Sequence, residues 1–289
     1  MKIEKLNTDK KLFIKNLLPL FKVYSTPNNE DEMRDYLRKQ LNGIKNVDFT
    51  FDTTGNIIGE RNLKNEKKVI LNSHMDSWMN PVTPEYNKNL GYYSKRDMIT
   101  NPGFMIGCDD KVGISMILYL LKYTNIDFKF IFTYCEEKGC IGVNALDESV
   151  YDNAHFVVTL DRANSGDIIQ TYADRKMISN EMANKISILS ENTYQVAQGI
   201  FADTYYMSKH LPAFNMSIGY YMQHRRDDYV VISEAIKAME LTYNMIVNQE
   251  EMAVNAYPEL IFEENILNGA NDEIISFTTT NATGSGLLL

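Results

Sequence analysis

The chain has 289 residues, 44% of them hydrophobic, which is enough for a packed core in one large domain or two modest ones. A net charge of -9 and a pI near 5.1 exclude the basic face that nucleic-acid binding requires. The three cysteines, Cys108, Cys135 and Cys140, form no C-x-x-C pair and point to a reduced chain without a disulfide framework.

The charged start MKIEKLNTDKK, followed by an apolar run broken by Lys15, Asn16 and Pro19, fits neither a signal peptide nor a membrane span, so the cytoplasm is the expected compartment. Residues 10 to 23 read as an amphipathic helix interrupted by Pro19. NNEDEMRDYLRKQL then offers Asn28 or Asn29 as a cap, acids in its first turn and bases later, and predicts a surface helix. VDFTFD alternates, DTTGN turns and NIIGER resumes, a β-hairpin over 47–61. KKVILNS is a short β-rich run that delivers His74 at the end of a buried strand.

From 77 to 105 the chain is polar and aromatic and reads as a long loop at the rim of a site. IGCDDKVG opens into a helix over 110–123 that is apolar nearly all round, and so buried against a sheet. FKFIFTYC is a strand running to Glu136-Glu137, CIGVNALDESVY a helix, and HFVVTL a strand running to Asp161. Residues 167–179 predict a hairpin, Ala202 to Lys209 a helix, AFNMSIGYY a strand, and VISEAIKAMELTYNMIVNQ a closing amphipathic helix. Strands alternating with helices predict an α/β fold in three layers, a mostly parallel mixed sheet with helices on both faces. Residues 1–264 are expected to form one domain and 265–289 a weakly ordered C-terminal extension.

Several metal-binding side chains fall at the predicted strand ends, where sites in such sheets form. Asp109, at a helix start that favours negative charge, can offer one oxygen to each of two cations. His74 can bind a metal through one ring nitrogen while Asp76 accepts the N–H of the other. Glu137, Asp161 and His224 complete a set of five ligands. Two divalent cations, three carboxylates and a bridging hydroxide make a neutral cluster that a low-dielectric pocket can hold. Glu136 remains as a carboxylate able to take a proton from water, the general-base role. His155 and His210 lie away from this set and read as structural.

In their order, S-H-M-D, G-C-D-D-K-V-G, T-Y-C-E-E-K-G-C-I-G, L-D-R and Y-M-Q-H-R-R-D-D-Y, the motifs resemble the co-catalytic dizinc exopeptidases. That superfamily contains aminopeptidases, carboxypeptidases, tripeptidases and aminoacylases. The resemblance implies the zinc-dependent exopeptidase fold and two zinc ions per chain, with cobalt or manganese as substitutes. It assigns His74 and Asp161 to one zinc, Glu137 and His224 to the other, Asp109 to both, Asp76 to orienting His74 and Glu136 to base catalysis. Only 63 positions separate Asp161 from His224, and core elements use them, so the chain resembles the lidless aminopeptidase branch.

Two positions depart from the family pattern: Arg225 replaces the usual threonine, and Asp228 the usual glutamate. The activity so implied is hydrolysis of the N-terminal peptide bond of small peptides through a metal-bridging hydroxide. Asp203, Asp227 or Asp228 would hold the substrate ammonium, and Tyr205, Tyr206, Tyr220 or Tyr221 the oxyanion. An N-acyl-amino-acid deacylase or carboxypeptidase, using Arg162, Arg225 or Arg226 on a substrate carboxylate, is an alternative; an inactive binding protein on the same fold is another. The partner is a small peptide or aminoacyl compound, with no nucleic acid or membrane, and an oligomer is left open.

Overall fold

A computed structural model of the chain describes residues 1–63, 67–79, 84–173, 175–199 and 201–258. The expected boundary at residue 264 and the extension 265–289 lie outside the described residues. Helix α1 (Lys10–Leu20) is capped by Asp9, and its buried stripe is Phe13, Leu17 and Leu20. Pro19 sits in its last turn and the helix ends one residue later, as expected of a residue that cannot continue the hydrogen-bond ladder. Helix α2 (Asp31–Leu41) buries Met33, Leu37 and Leu41. Neither Asn28 nor Asn29 caps it. Glu30 occupies the cap position without a side-chain cap bond, and its carboxylate instead accepts the Cys135 backbone N–H at 2.9 Å.

Strands β1 (Val47–Phe51) and β2 (Ile57–Arg61) form the expected hairpin, and β3 (Lys68–His74) is buried along its whole length. The predicted long loop after it is partly ordered into α3 (Pro84–Asn89), β4 (Gly91–Tyr93) and β5 (Met98–Thr100). The S-K-R-D turn between β4 and β5, with Asp97 at a left-handed φ of 53°, allows that antiparallel pairing. Helix α4 (Cys108–Tyr123) follows, then β6 (Lys129–Thr133).

The single helix expected over 140–151 is two short pieces, α5 (Ile141–Asn144) and a 3-10 turn at Glu148–Tyr151. The Asp147 side chain accepts the Ser149 N–H and starts a new turn instead of continuing the old one. Strand β7 (Ala154–Arg162) and the hairpin of β8 (Asp167–Tyr172) with β9 (Arg175–Lys176) agree with expectation. Helix α6 (Asn180–Leu189) and strand β10 (Gln195–Gln198) come next, and neither was foreseen. Helix α7 (Asp203–Met207), β11 (Ala213–Ser217), β12 (Tyr220–Tyr221), β13 (Tyr229–Val231), α8 (Ile232–Val247) and α9 (Gln249–Ala253) complete the described chain.

The main sheet runs β1-β2-β6-β3-β7-β11-β8-β10, with β9 on β8. Its centre, β6-β3-β7-β11, is parallel, and the flanking pairs β1/β2, β2/β6 and β11/β8 are antiparallel. Alternation along the strands sorts side chains to two cores. Val69, Leu71, Phe130, Phe132, Phe156 and Val158 pack under α1, α4 and α8, while Ile70, Ile131 and Val157 face α5 and α7 on the other side. Each such buried side chain is worth about 1.5–3 kcal/mol, which anchors the strands whose ends carry the site. A second, antiparallel sheet, β12-β13-β5-β4, holds the loop containing His224 between β12 and β13.

Candidate active site

His74, Asp109, Asp161, Glu137 and His224 meet at one end of the parallel strands. His74 Nε2 lies 2.9 Å from Asp109 Oδ1 and 3.4 Å from Asp161 Oδ1. His224 Nε2 lies 2.8 Å from Glu137 Oε1 and 3.3 Å from Asp109 Oδ2. Asp109 therefore directs one oxygen to each of two triads, each made of an imidazole nitrogen and two carboxylate oxygens within 4.8 Å of one another. That donor set is the N/O chemistry zinc takes, so the side chains present fit two such cations.

Local sequence explains the convergence. Helical backbone in α4 begins only after Asp109 and Asp110, and Asp110 Oδ1 accepts the Gly113 N–H like an N-cap. Asp110 also accepts from the Ser73 hydroxyl and the His74 N–H, tying the helix start to the end of β3. At Gly113 a Cβ would stand 2.3 Å from the Leu160 carbonyl, so only glycine lets α4 approach β7 closely enough to bring Asp109 beside Asp161. Glu136 and Glu137 lie on a 3-10 turn past the end of β6, which removes the opposite-face problem of adjacent strand residues. Cys135 before that turn and His224 itself have φ of 55° and 60°, local strain that tertiary contacts must hold.

Asp76 takes the His74 Nδ1 at 3.2 Å and also accepts the Glu136 and Glu137 N–H groups at 3.0 and 3.1 Å. One buried carboxylate thus orients the histidine and the glutamate turn together. Asn215 accepts the Asp161 N–H at 3.1 Å and directs its amide nitrogen to Asp161 Oδ2 at 3.4 Å. Asp228 accepts the Ile106, Gly107 and Cys108 N–H groups at 2.6, 2.9 and 3.0 Å, clamping the loop that leads to Asp109. The roles of Asn215, Asp110 and Asp228 escaped sequence reading; the second acid of D-D, at a helix start, was the one available signal.

The remaining candidates are placed as follows. Asp228 is spent on backbone, Asp227 is exposed outside the pocket, and Asp203 is buried against Thr133 and Cys140. Tyr221 donates to Glu234 and Tyr220 donates to the Asp161 carbonyl, while Tyr205 and Tyr206 pack with Phe201. His155 pairs with Glu250 and His210 stacks on Tyr151, both away from the site. Trp78, on the segment expected at the rim, stacks on His224 with ring centroids 5.4 Å apart.

The electrostatics call for positive charge. Burial, then the neighbouring Asp109, raise Asp161 to about 8, and burial followed by the Asp161, Asp203 and Asp109 charges raises Glu136 to about 9. Burial opposes charge on His74, yet its bonds to Asp109, Asp161 and Asp76 outweigh this and lift it well above the ordinary value. Hydrogen bonds to Asp109 and Glu137 raise His224 to about 10. Acids packed this closely are held up and the histidines among them favour the protonated form, the pattern of a site that lacks a compensating cation.

The triads open into a cavity of about 170 Å³, with Glu136 on its wall outside both triads. Apolar Ile169, Phe201 and Ala202 and the guanidinium-bearing Arg162 share that wall. All three cysteines are free and buried, and no helix among the described residues is long and apolar enough to cross a membrane.

Comparison with known proteins agrees with this fold. The chain is 29% identical over 158 residues to the Bacillus subtilis (strain 168) protein YqjE, described as uncharacterized; the match covers 49% of this chain and 41% of that relative. Among solved structures, aminopeptidase PepT from Bacillus cereus ATCC 10987 superposes with a TM-score of 0.71 at 17% identity, covering 85% of this chain and 99% of that one. A tripeptidase from Staphylococcus aureus subsp. aureus Mu50 gives 0.69 at 14% identity, over 85% and 99%. A TET aminopeptidase from a marine sediment archaeon, Thaumarchaeota archaeon, gives 0.68 at 9% identity, over 84% and 99%. At these identities the structural likenesses show the mixed three-layer α/β fold. The model of peptidase family M28 matches residues 56–257, a span that holds every residue of the two triads, and the chain belongs to that family.

Proposed function

We propose that this peptidase is a two-metal exopeptidase that hydrolyses the N-terminal peptide bond of small peptides, with Glu136 as general base. The observation that supports it is the double reach of Asp109, one carboxylate oxygen to each imidazole-carboxylate triad. His74 and Asp161 would hold one divalent cation, Glu137 and His224 the other, and Asp109 both. Zinc suits the donor set, and cobalt or manganese would serve, because such ligands select poorly among these ions. When bound, the cations would polarise the scissile carbonyl and acidify the attacking water.

The protein's own groups do the rest. Glu136, on the pocket wall and in neither triad, takes the proton from the attacking water and returns it to the leaving amine. Asp76 keeps His74 in the tautomer that presents Nε2 to the cation, and holds the glutamate turn at the same time. Ile169, Phe201 and Ala202 give the pocket an apolar wall beside the reacting groups. Three free, buried thiols suit a cytoplasmic location.

Glu136→Gln tests the assignment. The variant should retain two zinc ions per chain by elemental analysis while turnover of aminoacyl substrates falls by about 10²–10⁴. Full activity in that variant overturns the base assignment, and wild-type activity that survives complete chelation overturns the metal reading.

A further inference from the structure

The substrate ammonium finds no acid waiting for it. Among the described residues, the carboxylates that line the pocket are Asp109, Glu136, Glu137 and Asp161, all of them assigned to the triads or to the base. The pocket wall has a cation instead. Arg162 follows Asp161 at the end of β7, lines the pocket, and is 22% exposed at its side chain. Arg225 and Arg226, the other two arginines near His224 in the sequence, are exposed and outside the pocket lining.

Arg162 is braced and still available. Asp167 Oδ2 accepts from its Nε and Nη2, both at 3.3 Å. A guanidinium carries five N–H groups, so three of them, the Nη1 pair included, have no partner among the described residues. The brace fixes the plane of the fork and so lowers the entropy lost when a second carboxylate is taken bidentately. Arg162 adjoins Asp161 in the chain and lines the same pocket as both triads, so a carboxylate held by its fork lies within about one residue's reach of the reacting groups.

We propose that Arg162 is a specificity-determining residue that binds a free substrate carboxylate one residue beyond the scissile bond, making dipeptide-sized carboxylates the preferred substrates. This rests on the two-metal exopeptidase reading. The same carboxylate belongs to a dipeptide or to an N-acyl amino acid, and the experiment separates the two.

The zinc-loaded full chain would be assayed on a series of dipeptides, their C-terminal amides and the matching N-acetyl amino acids. The expected result is a kcat/KM for the free dipeptide about 10- to 100-fold above that for its amide, expressed in KM, as befits hydrogen bonds to a charged group. Arg162→Met should bring the ratio close to one, and Arg162→Lys should restore part of it. Faster cleavage of N-acetyl amino acids than of dipeptides, with the same dependence on Arg162, supports carboxylate recognition and identifies the acyl source. Equal rates on dipeptide and amide in the wild type overturn the proposal while leaving the exopeptidase reading intact, and need no variant to fold. Zinc-loaded protein that cleaves none of the three overturns both.

Discussion

Replacing Asp228 should loosen the site from behind, although Asp228 touches neither triad. Its carboxylate is 1% exposed and accepts three backbone N–H groups at 2.6, 2.9 and 3.0 Å from the segment that enters Asp109. Asp228→Ala would leave all three donors buried without acceptors, at about 1–3 kcal/mol each before relaxation, so a loss of roughly 3–6 kcal/mol is expected. Asp228→Asn keeps one oxygen. With that oxygen on Gly107 and Cys108, the new amide faces the Ile106 N–H donor to donor, a loss of about 1–3 kcal/mol. At about 2–4 °C per kcal/mol for a chain of this size, the Asn variant should melt roughly 2–12 °C lower. Because the released loop carries the shared ligand, zinc affinity should fall by about 10–100-fold. Thermal melts with and without zinc, together with calorimetric titration of the metal, measure both effects. An Ala variant that matches wild type in melting point and zinc affinity would refute the clamp.

Metal removal should make stability strongly pH-dependent. His224 is raised from 6.5 to about 10 by Asp109 and Glu137, so the metal-free folded chain keeps a proton that the unfolded chain loses. Its contribution is complete below pH 6.5 and is lost as pH rises through about 10, while metal displaces the proton and gains affinity over the same window. Chelated and zinc-loaded samples melted across that range test this, and a flat chelated profile counts against it. Trp78 is the chain's single tryptophan and stacks on His224, so its fluorescence should change as zinc is titrated and should disappear in Trp78→Phe. Emission that stays constant while two zinc ions bind would show that His224 is not where a metal arrives.

Local chemistry carried much of the reading. The runs KKVILNS, FKFIFTYC and HFVVTL are dense in β-branched and aromatic residues, and burial on both faces makes such runs central strands, with His74, Glu136-Glu137 and Asp161 at their ends. The D-D-K-V-G sequence announced a helix start, and its glycine proved to be the contact with Leu160. Errors gathered where structure depends on distant partners. The segment 77–105 looked like a loop because its short strands gain stability only by pairing with β13. Asn28 and Asn29 were plausible caps by propensity, but the contact between Glu30 and Cys135 joins residues 105 positions apart.

The amino-acid order by itself determined that His74, Glu136-Glu137 and Asp161 follow buried strands and that Asp109 opens a helix, since periodicity and turn residues act over a few positions. Which acids are free for chemistry was decided by the tertiary structure alone. Asp228 reads like a substrate-binding acid until its bonds to Ile106, Gly107 and Cys108, more than a hundred residues away, show it holding backbone. Arg162 emerges as the pocket's cation only once Arg225 and Arg226 are seen to lie outside it. A side chain's hydrogen-bond partners are set by packing between elements remote in sequence, and local pattern has no access to that distance.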